Sequence, residues 1–211
     1  PHIVSVYQVG EEDGVHYIAQ ELVVGGKSLS DKIEHLRKFT EIPANYYEKT
    51  AELFAQSADA LHVAHEAGIV HRDVSPKNIL VGPSGPLFLD AECACYGDPV
   101  FDITFCLNHL MLKCIWTPHA TSGFLQAFDV LSKAYLDGVV WDNREVLEAR
   151  AARILPALFL ARVDGKSPVD YITTEKHRNL IRHVARKLLR SPVATLRDVR
   201  MTWTEALERT A

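Results

Sequence analysis

The run His71-Arg72-Asp73-Val74-Ser75-Pro76-Lys77-Asn78-Ile79-Leu80, followed ten residues later by Leu89-Asp90, holds the residue types of a phosphoryl-transfer site. A carboxylate can take the proton of an attacking hydroxyl, and an amide five residues on plus a second carboxylate can hold Mg²⁺. Both are hard oxygen ligands, and phosphate-bound Mg²⁺ needs only a few of these because it keeps several waters. A histidine, an arginine and an aspartate in a row occur by chance. The same three with Asn-Ile-Leu at fixed spacing and a later Leu-Phe-Leu-Asp are far more specific.

On these residues the chain resembles the protein-kinase-like superfamily, and within it the aminoglycoside phosphotransferase-like family of small-molecule kinases. The resemblance implies a mainly α (α+β) fold, the carboxy-terminal lobe of a kinase, with a small β-hairpin beside the catalytic loop. Residues 1–27 would be a remnant of the amino-terminal lobe and hinge, and residues 28–211 the helical lobe. It implies Asp73 as catalytic base, Asn78 and Asp90 as ligands of Mg²⁺, and ATP as phosphate donor. Adenine would lie on the hinge Gln20-Glu21-Leu22-Val23, bonded by the backbone of Glu21 and Val23, over Leu80 as apolar floor. His71, Arg72 and Asp102 would be structural supports, Asp102 through the Gly97-Asp98-Pro99 segment that precedes it.

Several positions depart from the family pattern. Arg72 stands where antibiotic kinases usually have Gly and matches protein kinases instead. Ser75 stands where protein Ser/Thr kinases usually have Lys, so it offers a hydrogen bond without a charge. Asp90-Ala91-Glu92 replaces Asp-Phe-Gly; Glu92 would touch metal through water or be an ordinary solvated or capping residue. Asp102 follows Asp90 by only twelve positions and no Ala-Pro-Glu follows, too little for the activation segment that docks a peptide. The expected acceptor is therefore a small hydroxylated molecule. The alternatives are a protein Ser/Thr kinase-like domain or a non-catalytic, kinase-shaped binding protein. The Gly-rich loop, Lys and Glu of the small lobe do not occur in these residues, so the chain alone is expected to lack turnover.

The remaining features set bounds. With 211 residues and 47% hydrophobic content the chain can bury one sizeable core. A net charge of −4 gives no overall reason to expect nucleic acid. Cys93, Cys95, Cys106 and Cys114 lack a second zinc-spaced pair and read as thiols of a reduced, cytoplasmic setting. No apolar run is long enough for a membrane span.

The elements that must position the site follow from periodicity. Two β-rich stretches, 2–9 and 15–24, flank an acidic turn over 10–14, and Gly25-Gly26-Lys27-Ser28 reads as a hinge turn rather than a phosphate loop. Residues 29–38 form a short helix. Pro43 opens a long one with Tyr47, Ala51, Phe54, Ala58, Leu61 and His65 as its buried stripe, and Gly68 stops it. Residues 79–81 and 87–89 form a hairpin about a Gly-Pro-Ser-Gly-Pro turn. Helices follow at 101–116, 122–136, 144–162 and 175–190, the third kinked or bounded at Pro156. The last sets Leu180, Val184 and Leu188 against arginines that read as a solvated face, with polyanion contact as the rival. Glu145, Glu148 and Asp164 would attract a cationic substrate or be plain helix surface.

Overall fold

The computed structural model describes residues 2–39, 41–89 and 94–209. The fold is mainly helical with small sheets, as a kinase-like carboxy-terminal lobe requires. The chain divides into two compact units, Pro1–Gly97 and Asp98–Ala211.

The first unit opens with β1 (Val6–Glu12) and β2 (Val15–Gln20), an antiparallel pair in which Glu12 faces Val15. The turn is tighter than the expected 10–14: it is Asp13-Gly14 alone, with φ of 53° and 79°. Asp-Gly supplies the two left-handed residues of a type I′ turn, whose twist matches that of paired strands. Gly10 is therefore a strand residue opposite Tyr17. The Tyr17 ring lies over it, where a Cβ would stand 2.5 Å from the phenolic oxygen. After the turn at Gly25 (φ 72°), closed by Gly26 N–H donating to Val23 C=O, comes the two-residue β3 (Lys27–Ser28).

Helix α1 (Leu29–Leu36) starts on a reciprocal cap: Ser28 Oγ accepts the Asp31 N–H at 3.0 Å, and the Asp31 carboxylate accepts the Ser28 N–H at 3.2 Å. Such a pair satisfies two amides that a helix start leaves without partners. Helix α2 (Tyr46–Glu66) packs on β4 (Ile69–Val70) and on β6 (Gly85–Phe88). Its expected stripe is corrected here. Tyr47 is 73% and Phe54 57% exposed, whereas Ser57 and Ala60 are buried. Small side chains let the helix approach the strands closely, and Ser57 returns its hydroxyl to Leu53 C=O at 2.8 Å. Strand β5 (Ile79–Gly82) pairs with both β3 and β6, and β4 pairs with β7 (Cys95–Tyr96). Ala60, Ile79 and Phe88 form a small core, with Leu29, Leu61 and Val74 against it.

The second unit is a helical bundle: α3 (Val100–Trp116), α4 (Thr121–Gly138), α5 (Arg144–Asp164), α6 (Glu175–Arg190) and α7 (Leu196–Glu208). Its core runs through Leu107, Met111, Phe128, Leu155, Phe159, Ile181 and Trp203. Helix α5 passes through Pro156 rather than ending there, and the proline ring is buried. That position forgoes one intrahelical hydrogen bond. On α6 the buried line is Ile181, Val184, Ala185 and Leu188, with Leu180 at its edge. Helix α7 was absent from the periodicity reading. It is capped by Thr195, whose hydroxyl accepts the Asp198 N–H, and is anchored by Trp203, 5.0 Å from the Phe159 ring.

Candidate active site

The loop from His71 to Asn78 joins β4 to β5, and hydrogen bonds from within and from both sides hold its shape. Asn78 N–H donates to Ser75 C=O at 3.0 Å, closing a turn over Pro76 and Lys77. Ser30 N–H donates to Pro76 C=O at 2.9 Å, so the turn is fastened to the first turn of α1. Leu89 N–H donates to Asn78 C=O at 2.8 Å, one step beyond the β5–β6 register. Asn78 is buried and Asp73 half-buried.

These contacts bring the two residues together. The Asn78 Nδ2 group donates to the Asp73 carboxylate oxygen Oδ2 at 2.8 Å and to the Asp73 backbone carbonyl at 3.0 Å. Both acceptors are oxygens, so the amide orientation is settled by chemistry: nitrogen towards Asp73, Oδ1 away. A charge-assisted bond of this kind fixes the carboxylate rotamer. His71 is buried and bonded on both ring nitrogens. Nδ1 accepts the Asp73 N–H at 3.4 Å and Nε2 lies 3.2 Å from Leu89 C=O, which makes the Nε2–H tautomer the consistent one. Its ring packs 5.3 Å from Phe88. Arg72 takes φ of 67°, a left-handed conformation that costs a non-glycine residue energy, and directs Nη1 to Cys95 Sγ at 3.5 Å.

Of the other site residues, Val23 and Leu80 gather at the two-residue sheet edge. A Cβ on Gly26 would meet Val23 Cγ1 at 2.9 Å and Leu80 Cδ1 at 3.5 Å. Glu21 N–H donates to Ser5 C=O at 2.8 Å, and its carboxylate accepts the Ser5 N–H. Ser75 is half-buried and carries the carbonyl of the loop turn. Asp90 and Glu92 lie outside the described residues. The donor set that is described suits Mg²⁺ in kind: an amide oxygen left over once Nδ2 is committed, beside a carboxylate. Among the described residues no three His, Cys, Asp or Glu side chains cluster as a metal site.

In the second unit Asp102 is buried in the first turn of α3. Asp98, just before that helix, accepts the Val100 N–H at 3.2 Å and two bonds from Arg150, at 2.6 and 3.3 Å. Arg150 also donates to Asp142 at 2.7 Å. The two carboxylates hold the Arg150 guanidinium more firmly protonated, and Arg150 lowers the pKa of Asp142.

Comparison with known proteins gives the loop a context. A model described as "phosphotransferase enzyme family" matches residues 27–131. A probable serine/threonine-protein kinase of Clostridium perfringens is 42% identical over 85 residues, 40% of this chain and 11% of the relative. Serine/threonine-protein kinase PrkC of Bacillus subtilis is 36% identical over 86 residues, 40% of this chain and 12% of the relative. CBL-interacting protein kinase 24 of Oryza sativa subsp. japonica is 32% identical over 161 residues, 74% of this chain and 31% of the relative. The matched segment belongs to the protein-kinase-like superfamily of phosphotransferases. The chain spans between about a tenth and a third of the length of these kinases.

For this kinase-like chain some expectations need redistribution. Asp164 is held by Arg182 in two short bonds, and Glu148 caps α7 by accepting the Leu196 N–H at 3.0 Å. Both carboxylates therefore have structural partners. Sequence reasoning passed over the Arg150 clamp, which joins positions 52 residues apart, and the pair His109–Tyr171, bonded at 3.0 Å. Burial, then Arg162 and Lys113, push the His109 pKa down to about 4, while burial raises Tyr171 to about 12. No described helix is long and apolar enough to cross a membrane.

Proposed function

We propose that the protein moves the γ-phosphoryl group of ATP to a hydroxyl of a small molecule. The observation that carries this reading is the Asn78 amide seated on the Asp73 carboxylate, which leaves one amide oxygen and one carboxylate edge for the reactants. Asp73 orients the acceptor hydroxyl and takes its proton as the oxygen bonds to phosphorus, a contribution of roughly 10²–10⁴ in rate. Asn78 and Asp90 would hold Mg²⁺, which supplies charge neutralisation on the phosphates. The backbone of Glu21 and Val23 would bind the base against Leu80, with residues 1–27 as the hinge side and 28–211 as the helical side. His71, which orders the loop backbone, and Arg72 support the site.

The short interval of twelve positions from Asp90 to Asp102 favours a small acceptor over a peptide. A protein acceptor is the second reading, favoured by the relatives described above, which are serine/threonine-protein kinases and a plant protein kinase. The test is Asp73→Ala in the full-length protein, with hydroxylated small molecules and a Ser/Thr peptide library as acceptors. We expect kcat to fall by about 10² or more with nucleotide affinity unchanged. Near-normal turnover in that variant refutes the assignment, and transfer to peptides alone selects the second reading.

A further inference from the structure

The basic residues of α6 differ in what they touch. Arg182 is committed to Asp164 and Glu175, and Arg178 donates to Ile172 C=O. Lys187 is exposed, and among the described residues its side chain has no hydrogen bond or ion pair. It lines a cleft of about 300 Å³ between α6 and α7. The space exists because α7 sets small side chains, Thr202 and Ala206, opposite Leu180 and Val184 of α6. Positions 202 and 206 are neighbours one turn apart, and two bulky residues there would close the gap. Buried Val184 with half-buried Leu180 and Ala206 makes part of the lining apolar. The rest is charged: Lys176 and Lys187 stand on the α6 side with His183 between them, and Arg209 on the α7 side. Glu205 is the one carboxylate among the described lining residues. Like Lys187, Arg209 and Glu205 have no side-chain partner among the described residues. Lysine and arginine thus outnumber carboxylate by two here, in a chain whose net charge is −4. Cations gathered in a cleft with apolar walls focus their field on what enters it. Small ligands bind in such clefts between bundle helices, where a largely apolar lining carries a few polar groups.

We propose that the cleft between α6 and α7 binds a small phosphate monoester with an apolar arm. Such a phosphate carries about −1.5 to −2 charges at pH 7, which matches the surplus of two; a monocarboxylate would leave half of it unanswered. The phosphate pairs with Lys187 and Arg209, and the arm lies on Leu180, Val184 and Ala206. A nucleic-acid strand would engage the cations but leave this apolar surface and the enclosed volume unused. The site stands apart in sequence from residues 71–90 and does not depend on the phosphotransfer reading.

The experiment titrates the full-length protein with phenyl phosphate, inorganic phosphate and phenol by ligand-detected NMR, and with a labelled uridine oligonucleotide by fluorescence anisotropy. Phenyl phosphate should bind with a Kd of about 1 mM or tighter, and phenol and inorganic phosphate at least about tenfold more weakly. Lys187→Glu and Arg209→Glu should each weaken phenyl phosphate by about tenfold or more, the loss of one charge-assisted contact and the gain of a repulsive one. Both residues are exposed and without side-chain partners, so the fold tolerates the change. Ala206→Leu should weaken phenyl phosphate about tenfold and inorganic phosphate by less than about twofold, because it fills the cleft and leaves the charge. Glu205→Gln removes the opposing carboxylate and should tighten phenyl phosphate about twofold, a gain that damage to the fold cannot produce. An affinity unchanged in both charge-reversal variants overturns the proposal, as does phenol binding as well as its phosphate ester. An oligonucleotide that binds more tightly than phenyl phosphate and is lost in the same variants makes this face a polyanion surface and refutes the small-ligand site.

Discussion

Replacing Asn78 by Asp changes one NH₂ group into an oxygen and should convert the catalytic loop into a pH-dependent structure. The amide now donates to Asp73 Oδ2 at 2.8 Å. Two ionised carboxylates at that distance repel by about 6 kcal/mol at an effective dielectric constant of about 20, which no loop sustains. The variant must keep a proton between the two groups or break the contact. With the shared proton, an O–H donor replaces the N–H donor and the loop stays closed. The folded pair therefore releases its last proton at a higher pH than an unfolded Asp, whose value is about 3.9. A folded-state pKa that is raised gives stability present at low pH and lost as pH rises through it. Asn78→Asp should lie within about 1 kcal/mol of wild type near pH 4.5 and well below it at pH 8. Asn78→Ala supplies the comparison. It removes one hydrogen bond to a charged group and one to a carbonyl, and water at half-exposed Asp73 restores part, so about 1–2 kcal/mol should be lost. That loss should be the same at both pH values. All three tryptophans, Trp116, Trp141 and Trp203, lie in the second unit, so fluorescence is the wrong probe. Hydrogen exchange of peptides covering residues 69–89, corrected for the intrinsic rate at each pH, reads the loop directly. A deficit in Asn78→Asp that does not change with pH, or full protection in Asn78→Ala, would refute the geometry.

Two further outcomes follow from the second unit. Asn108 is fully buried in α3, and among the described residues neither its amide nitrogen nor its amide oxygen has a partner. Burying such a group without a hydrogen bond costs roughly 1–3 kcal/mol, so Asn108→Leu should raise stability by about 1–2 kcal/mol in urea unfolding followed by tryptophan fluorescence. A lower midpoint would mean that the amide is satisfied in solution. His109, bonded to Tyr171 and flanked by Arg162 and Lys113, has its pKa lowered from 6.5 to about 4. A lowered folded value means stability that is present above pH 6.5 and lost as pH falls through about 4. The full loss would be roughly 3 kcal/mol, less where solvent screens the half-exposed ring. His109→Gln, measured by the same unfolding between pH 7 and 4, should flatten this slope; an unchanged slope assigns the acid sensitivity elsewhere.

What the sequence disclosed depended on whether the information was local. The Asp73–Asn78 spacing, the Gly68 stop and the hairpin about residues 82–85 all lie within a few positions, and each reads directly from residue type. The orientation of α2 did not. Its bulky residues, Tyr47 and Phe54, recur with helical period, and periodicity alone assigns the larger side chains to the core. The strands beside α2 instead receive Ser57 and Ala60, because a two-residue β4 and a four-residue β6 leave room for close approach rather than for aromatic rings. A helix can present an apolar stripe and still bury another face when the partner surface selects by shape. The Arg150 clamp shows the same limit in charge. Nothing near Arg150 in the sequence distinguishes it from Arg153, yet only folding sets its guanidinium between Asp98 and Asp142. Helix α7 was legible in principle through Thr195–Asp198 and the spacing of Leu196, Val199 and Trp203.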